Sequence, residues 1–337
     1  MLILIDFYRN LKNQKNYRGG INLIDLIIPV YKNLKGLRQT LNSINYKIFN
    51  VTVVEDGSNE VHGIQRSVNV LQLKHNVGPG QARQYGIDNT NNPYIMFIDA
   101  GDEFISKEVQ EEIAQTVESD KDTDVFFWLY YYKDQLVNHG DNRLHGKVYK
   151  RSFLKKYDIA FSRAGSYMNE DIGFNRTCRI ILKDRYKEIR FIDIPVIKWI
   201  ANDDSLTQKD NNRSLYESQN RALAINSTHC ISCCRKNKVK ESLITEEINE
   251  IAMALYYWFI RAAAERPEFI RNAWDGARIF YSKFSKEINP RDLIIGSTRM
   301  KQCLYYRDKI NFPINILRFT RDILFFKEIP SYYLTKM

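Results

Sequence analysis

The chain lacks any hydrophobic run near the roughly 20 residues that a membrane-spanning helix requires. Its most obvious apolar stretch, Phe126 to Tyr132, is far shorter. The first five residues have neither the basic lead-in nor the small-residue cleavage site of a secretory signal peptide. Cysteine is scarce, with 5 in 337 residues, and the odd count argues for reduced thiols. These absences predict a soluble, cytoplasmic protein.

Two common phosphate-binding fingerprints are also missing. No Gly-x-Gly-x-x-Gly follows the first predicted strand, and there is no Walker loop. The glycine-rich loop that is present, His75-Asn-Val-Gly-Pro-Gly80, lies further along the chain and opens a predicted helix. Ordinary dinucleotide or ATP binding is therefore disfavoured.

Negative charge is scarce in the C-terminal part of the chain. From Ser205 to the end, 22 Lys and Arg stand against 14 Asp and Glu, so this part carries +8 of the net charge of +10. A basic surface of this kind favours a polyanion, either nucleic acid or anionic lipid headgroups. The alternative is a basic face that is simply solvated.

What is present is a set of buried strands that end in polar residues. The clearest is Tyr94 to Ile98, a run of β-forming residues that stops at Asp99 and Asp102, with Gly101 between them. In open α/β sheets, ligands bind at the carboxyl ends of the strands. Two carboxylates beside a glycine suit a hard divalent cation and its phosphate ligand. The alternative is an acidic turn that caps the next helix.

Strands and helices are predicted to alternate before this acidic turn. The predicted strands are residues 23–31, 49–54, 67–73 and 94–98, and the predicted helices are residues 34–44 and 79–87. This order predicts a doubly wound, nucleotide-binding α/β sheet. From residue 205 onward the sequence is predicted to be helical, with one helix over residues 245–264.

Six motifs resemble those of family 2 glycosyltransferases of the GT-A fold, in order and spacing. They are Ile28-Pro-Val-Tyr31, Val54-Glu-Asp-Gly-Ser58, Asn76-Val-Gly with Ala82-Arg83 and Gly86-Ile87, Tyr94-Ile-Met-Phe-Ile-Asp-Ala-Gly-Asp102, Gly146-Lys-Val-Tyr-Lys150 and Asn169-Glu-Asp-Ile-Gly-Phe174. The resemblance covers roughly residues 22–207. It implies a nucleotide-sugar-binding, Rossmann-like mixed sheet with a C-terminal helical domain. The expected domains are residues 1–20 (an extension), 21–207 (the GT-A domain) and 208–337 (a basic helical domain).

The resemblance also implies a donor site for a nucleotide-sugar, with uracil as the expected base. Asp102 is the expected chief ligand of Mn²⁺ or Mg²⁺, and Asp99 is expected to touch the metal or the ribose. Gly101 departs from the fuller family form Asp-Ala-Asp-Asp. Asp56 is expected to bind the base and Arg83 the diphosphate. The full set of expected donor-binding residues is Pro29, Val30, Tyr31, Glu55, Asp56, Gly78, Arg83, Asp99, Ala100 and Gly101.

For the chemical step, the resemblance implies an inverting, single displacement with Asp171 as the general base. Glu170 is its neighbour or substitute, and both acids are predicted to open a helix through Thr177, where they favour its dipole. The segment Asn202–Thr207 resembles the one that closes the family's site, where a histidine sometimes joins the metal; no histidine is present in it.

The acceptor is not encoded in these motifs. A cell-surface glycan or lipid-linked saccharide is the first expectation, with the basic C-terminal domain at the inner membrane face. The second is a hydroxymethylated base of phage DNA, which would place the protein in the host cytoplasm. A third is a non-catalytic module that binds a sugar nucleotide or nucleic acid. The segment Phe312–Tyr333 is accordingly expected to pack on the catalytic domain, to lie on a membrane surface or to meet nucleic acid.

Overall fold

A computed structural model of the chain describes residues 23–64, 67–137, 142–164, 168–200, 213–289, 298–307, 309 and 315–334. The expected N-terminal extension and the segment Asn202–Thr207 lie outside these ranges. The described residues form two compact units. The first lies within Met1–Asn76, Ala82–Lys156 and Ile189–Ala201, and the second within Val77–Gln81, Tyr157–Glu188 and Asn202–Met337. The domain boundary expected at residue 207 stays a prediction.

The first unit contains a mixed sheet, which has nine strands in the described residues. The strands are β1 (Ile24–Val30), β2 (Phe49–Glu55), β3 (Asn69–Gln72), β4 (Tyr94–Phe97), β5 (Glu103–Phe104), β6 (Val125–Tyr132), β7 (Gln135–Val137), β8 (Lys147–Lys150) and β9 (Arg190–Trp199). Their order is β3-β2-β1-β4-β8-β6-β9-β5, and β7 pairs with β6. The four strands predicted at the start of the chain are all present, and the α/β mixed sheet is confirmed.

The centre of the sheet follows from the apolar runs that specify it. Every residue of β1 is buried, and β1 lies between β2 and β4, parallel to both. A strand covered on both faces needs such an unbroken apolar run. Val30 pairs with Glu55, and Ile27 pairs with Phe97. The carboxyl ends of these three strands therefore meet at one edge of the sheet.

The helices predicted at residues 34–44 and 79–87 are present within one residue of their predicted ends, whereas the helix that Glu170 and Asp171 open continues past the predicted Thr177 to Asp184. The helices are α1 (Leu34–Ser43), α2 (Pro79–Asp88), α3 (Lys107–Ser119), α4 (Arg151–Lys156), α5 (Glu170–Asp184), α6 (Arg213–Lys236), α7 (Glu241–Glu265), α8 (Ile270–Lys283), α9 (Thr298–Arg307) and α10 (Ile316–Phe325). The prediction that α7 starts at the Thr245 cap is wrong. Ile244 is buried on the same stripe as Ile248, so packing extends the helix by one turn.

The second unit is held together by close contacts between its helices. Asn220 on α6 donates from Nδ2 to the carbonyl oxygens of Leu255 on α7 (3.1 Å) and Ala273 on α8 (2.8 Å). Gly276 on α8 faces the same part of α6, where an added Cβ would lie only 2.4 Å from the backbone nitrogen of Arg221. One buried amide therefore ties three helices together, and the missing side chain allows α8 to approach.

The five cysteines are free and buried. Burial raises the pKa of Cys178, and burial with nearby Cys230 raises the pKa of Cys233 to about 11. Such thiols stay protonated and unreactive at neutral pH. Among the described residues, the cysteines belong to no group with the spacing of metal ligands. In the same part of the chain, no helix is long and apolar enough to cross a bilayer.

A buried arginine holds the sheet near the amino end of β1, away from the carboxyl ends of the strands. Arg151 donates to the Asp25 carboxylate of β1 (2.7 Å) and to the carbonyl oxygens of Asn92 (2.7 Å) and Ile87 (2.6 Å). Removal of one partner of a buried ion pair leaves the other charge uncompensated. We expect Arg151→Ala to lower the free energy of unfolding by about 3–5 kcal/mol in urea titrations. Lys155→Ala, at an exposed position of the same helix, should change it by less than about 0.5 kcal/mol.

Candidate functional site

The loop between β4 and β5 carries the two predicted metal-binding carboxylates. Gly101 has φ +114°, a conformation that residues with side chains rarely adopt, which explains why glycine stands where the fuller family form has an acid. The buried Thr40 of α1 accepts a hydrogen bond from the Gly101 N–H (2.9 Å) and donates to the Asp102 carbonyl oxygen (2.7 Å). Asn33, which caps α1, donates to the Ala100 carbonyl oxygen (2.8 Å). Helix α1 thus fixes the loop.

Each carboxylate oxygen of Asp102 has a partner in the first unit. Its Oδ2 lies 3.0 Å from Nε2 of His145, and its Oδ1 accepts a hydrogen bond from the Ile200 N–H (3.0 Å). The side chain is almost fully buried, and burial raises the pKa of Asp102; the hydrogen bond and charge of His145 oppose this shift without cancelling it. A nearby cation would favour the charged carboxylate that burial disfavours.

The imidazole of His145 is clamped in a stack of aromatic rings. Its centroid lies 5.0 Å from that of Tyr130 and 5.0 Å from that of Trp199, and both pairs of rings are stacked. Trp199 stacks in turn on Tyr132, at 4.1 Å, and the Arg143 guanidinium lies over the Trp199 ring, at 4.7 Å. Stacking against two rings restricts rotation of the imidazole, so its orientation toward Asp102 is set before any ligand arrives.

Asp99 pairs with a buried arginine. Nη2 of Arg83 lies 2.6 Å from Oδ1 of Asp99, with the arginine buried and the Asp99 side chain 44% exposed. Desolvation by the surrounding protein would raise the pKa of Asp99, but the charges of Arg83 and His145 and the Arg83 hydrogen bond outweigh it and lower the pKa. The carboxylate is therefore ionised at neutral pH and open to solvent on one side.

Together, Asp99, Asp102 and His145 form a group with the spacing of metal ligands. One ligand atom from each lies within 4.8 Å of the others. The 3.0 Å between the Asp102 oxygen and the His145 nitrogen matches two adjacent positions around an octahedral ion with bonds of about 2.1 Å. Two carboxylates with one imidazole also suit first-row transition ions such as Mn²⁺. The donor set therefore fits the divalent ion that the sequence predicted.

Strands β1 and β2 bring the expected base-binding residues to the same edge. Glu55 ends β2, and its Oε1 accepts from the backbone N–H groups of Ser58 (2.6 Å) and Asn59 (2.8 Å) and from the Ser58 hydroxyl. Its Oε2 is buried and makes no hydrogen bond within the described residues. Asp56, also buried, donates its N–H to the Val30 carbonyl oxygen (2.8 Å). Glu55 thus shapes the turn and still presents an oxygen atom that lacks a partner.

The first unit holds most of the expected site. Its members there are Pro29, Val30, Tyr31, Glu55, Asp56, Arg83, Asp99, Ala100, Gly101 and Asp102. Pro29 and Val30 are buried at the end of β1, whereas Tyr31 is 44% exposed. Gly78, Glu170 and Asp171 belong to the second unit. Gly78, with φ +86°, directly precedes α2.

The two expected catalytic acids open α5, as predicted. Glu170 is buried, and Oδ1 of Asp171 accepts from the Ile172 N–H (2.8 Å). Asn169, just before them, has φ +55°, which is uncommon for a residue other than glycine. Asn226 of α6 donates to the Met168 carbonyl oxygen (2.8 Å), so the start of α5 is fixed by the helix beside it.

Three residues that build this site were not predicted from the sequence: His145, Thr40 and Asn33. His145 directly precedes the motif that begins at Gly146, so its position next to a recognised motif could have marked it as a candidate. Nothing in the sequence marks Thr40, because it acts by side-chain contact with a loop about 60 residues further along.

A mixed sheet with carboxylates at the carboxyl ends of its parallel strands defines an α/β protein of the class whose ligands bind at this edge of the sheet. Residues 25–190, almost half of the chain, match the family model described as "Glycosyl transferase family 2". This part of the chain belongs to family 2 of the glycosyltransferases.

Several curated proteins match parts of the chain. The amylovoran biosynthesis glycosyltransferase AmsB of Erwinia amylovora is 24% identical over 184 residues, covering 49% of this chain and 57% of AmsB. An uncharacterised glycosyltransferase of Rickettsia conorii is 29% identical over 99 residues, covering 27% of this chain and 16% of that protein. The chain thus spans only part of the relatives it matches, between about one sixth and just over half of their lengths.

Among solved structures, S. aureus TarS 1-349 in complex with UDP-GlcNAc is similar over 93% of this chain and 92% of that one. The TM-score is 0.62, and the sequences are 16% identical. TarS 1-349 in complex with UDP gives a TM-score of 0.56 at 17% identity. At this identity the likeness concerns the fold alone, and it agrees with the predicted GT-A fold with a helical C-terminal region.

Proposed function

We propose that this protein is an inverting glycosyltransferase that moves a sugar from a UDP-sugar to an acceptor hydroxyl with the help of a divalent ion. The observation that carries the proposal is the group formed by Asp99, Asp102 and His145 at the carboxyl edge of the sheet. Family membership and the TarS complexes with UDP-GlcNAc and UDP support the reaction class and the donor.

In this proposal, Asp102, Asp99 and His145 would hold Mn²⁺ or Mg²⁺. The bound ion would supply positive charge for the leaving diphosphate. Arg83 adds a permanent cation beside Asp99, and its planar guanidinium can donate two parallel hydrogen bonds to diphosphate oxygen atoms. Asp102 contributes most to the site, because it is already oriented by two hydrogen bonds.

The uracil base would bind at the ends of β1 and β2. The carboxylate of Asp56 would accept the imide proton of the base, and Pro29, Val30 and Tyr31 would line the pocket beside it. Gly78, Ala100 and Gly101 would allow the donor to approach the backbone closely. The buried Oε2 of Glu55 is a second acceptor, and a donor hydroxyl or N–H group would give it the partner it lacks.

For the acceptor, we propose a cell-surface glycan or lipid-linked saccharide. The name of AmsB, a glycosyltransferase of amylovoran biosynthesis, supports this choice over DNA. Asp171 is the proposed general base, with Glu170 as its neighbour, and inversion requires a single displacement by the acceptor oxygen. The basic C-terminal part is the proposed contact with a polyanionic or membrane-bound partner.

The test is sugar transfer by the full chain, with UDP-[¹⁴C]GlcNAc and other UDP-sugars and with Mn²⁺, Mg²⁺ or EDTA. A crude lipid-linked glycan fraction and DNA that contains hydroxymethylcytosine serve as parallel acceptors. We expect label on the glycan, dependence on the metal and an anomeric configuration, read by NMR, opposite to that of the donor. Label on the DNA would overturn the acceptor, and retention of configuration would overturn the mechanism. Donor binding without transfer or hydrolysis would favour a binding module.

A substitution at His145 tests its role as a metal ligand. We expect His145→Gln to weaken Mn²⁺ binding about 10–100-fold, because an imidazole ligand or a group that orients the carboxylate is lost. Mg²⁺ affinity should fall less, since this ion prefers oxygen ligands. Electron paramagnetic resonance of free Mn²⁺ and its competition by Mg²⁺ measure both affinities. The exposed His75→Gln is the matched control in the same unit. Unchanged Mn²⁺ binding in a folded His145→Gln variant would remove His145 from the site.

A further inference from the structure

Helix α10 has an apolar face on each side. The inner face, with Ile316, Phe319 and Ile323, is buried in the second unit, where Phe319 packs against Phe259 and Trp274. The outer face carries other apolar side chains: Leu317 is 45% exposed, Leu324 40% and Phe325 79%. These outer positions recur at helical spacing, so they lie along one stripe. A helix that only completed a core would need one apolar face.

The outer stripe belongs to a larger surface, which we call the outer apolar surface: Leu304, Leu317, Leu324, Phe325 and Phe326. Leu304 of α9 and Leu317 of α10 line one groove of about 230 Å³, so the surface continues between the helices. The described residues include 14 exposed large hydrophobic side chains, and six of these fall between residues 304 and 326. Exposure concentrated in this way marks an interaction site, because scattered single residues are the ordinary case.

Positive charge accompanies this surface. From Thr298 to the end, the sequence has eight Lys and Arg against three Asp and Glu. Lys327 is exposed, and Arg307 lines the groove. One of the three acids, Asp322, is buried and accepts hydrogen bonds from Tyr333 (2.8 Å) and from Arg321 (2.8 Å). Among the residues of this part that the structure describes, the charges that face solvent are therefore predominantly positive.

We infer that the outer apolar surface docks on an anionic lipid bilayer. Leu, Phe and cationic side chains on the outer side of a helix are the composition of interfacial helices, whose apolar side chains enter the acyl boundary while Lys and Arg meet lipid phosphates. Nucleic acid would engage the cations but leave Leu324 and Phe325 in water. A second copy would cover the apolar stripe but bring like charges together. The inference makes the proposed contact of the basic C-terminal part specific, and it rests on a surface of the second unit and not on the donor site.

The test is flotation of the full chain with vesicles of phosphatidylcholine alone or with 30 mol% phosphatidylglycerol. We expect binding to the anionic vesicles and weaker binding as salt increases. The double substitution Leu324→Ser with Phe325→Ser should lower the partition coefficient at least about 30-fold. Tyr186→Ser, which removes an aromatic side chain that is 83% exposed in the same unit, should leave it unchanged.

A charge variant separates the two contributions. Lys327→Gln should weaken binding to anionic vesicles about fivefold. Lys286→Gln, at another exposed position of the second unit, is its control and should have little effect. Circular dichroism and thermal unfolding establish that the variants fold, and hydrolysis of the UDP-sugar should be unchanged in all of them.

Three outcomes would overturn the inference. Equal binding of the wild type and the Leu324→Ser, Phe325→Ser variant to anionic vesicles would show that the surface does not meet lipid. Concentration-dependent dimers that this variant abolishes, without vesicle binding, would assign the surface to a second copy. Binding to duplex DNA that the variant weakens, again without vesicle binding, would assign it to nucleic acid. Failure of sugar transfer would leave the vesicle result intact, so the two proposals fail separately.

Discussion

Asp102→Asn is expected to reduce sugar transfer at least about 1000-fold, equivalent to about 4 kcal/mol of transition-state stabilisation. The variant removes the negative charge of the proposed chief metal ligand and keeps its shape. The amide oxygen can still accept from the Ile200 N–H, and the amide N–H₂ can donate to His145. The loss should therefore come from the metal and not from misfolding.

Three measurements check this expectation. Transfer or hydrolysis of a labelled UDP-sugar gives the rate, Mn²⁺ binding gives the affinity for the ion, and thermal unfolding gives the stability. We expect the rate and the affinity for Mn²⁺ to fall strongly and the stability to change little. Asp134→Asn is the matched control, since Asp134 is exposed at the turn between β6 and β7 in the same unit. A folded Asp102→Asn variant with full activity, or wild-type activity that EDTA does not affect, would contradict the proposed role.

Much of this site could be predicted because it is local in sequence. A buried strand followed by acids, as at Asp99 and Asp102, marks the carboxyl edge of a sheet wherever that strand lies. The turn at Glu55 and Asp56 carries the same signal. One strand and the turn after it are enough to predict such residues. The structure brings both turns to the edge formed by the carboxyl ends of β1, β2 and β4.

The parts that could not be predicted depend on contacts between distant segments. His145 faces Asp102 because β8 runs antiparallel beside β4 and a stack of Tyr130 and Trp199 holds the ring. The strand order that creates this contact is not visible in composition or periodicity. The start of α7 was mispredicted for a related reason, because a cap at Thr245 counts for less than the burial of Ile244.

The second large effect is expected at Asp171, the proposed general base. We expect Asp171→Asn to lower the rate of transfer about 100- to 10,000-fold and to change the dissociation constant for the UDP-sugar less than about twofold. Asparagine can still accept the hydrogen bond from the Ile172 N–H that positions the side chain. What it cannot do is remove the proton of the acceptor hydroxyl. Transfer kinetics and calorimetric titration of the donor measure the two quantities.

Two further variants make the assignment to Asp171 specific. Asp275→Asn, at an exposed position of α8, removes a carboxylate from the same unit and should leave both quantities unchanged. Glu170→Gln distinguishes the two neighbouring acids: a loss of transfer in this variant, with Asp171→Asn still active, would move the role to Glu170. Both acids lie in the first turn of α5, where the helix dipole favours their ionised forms. The backbone of Asn169, with its positive φ, and the fixed start of the helix determine how the two carboxylates are oriented. Orientation as well as charge should therefore decide which of the two acids acts as the base.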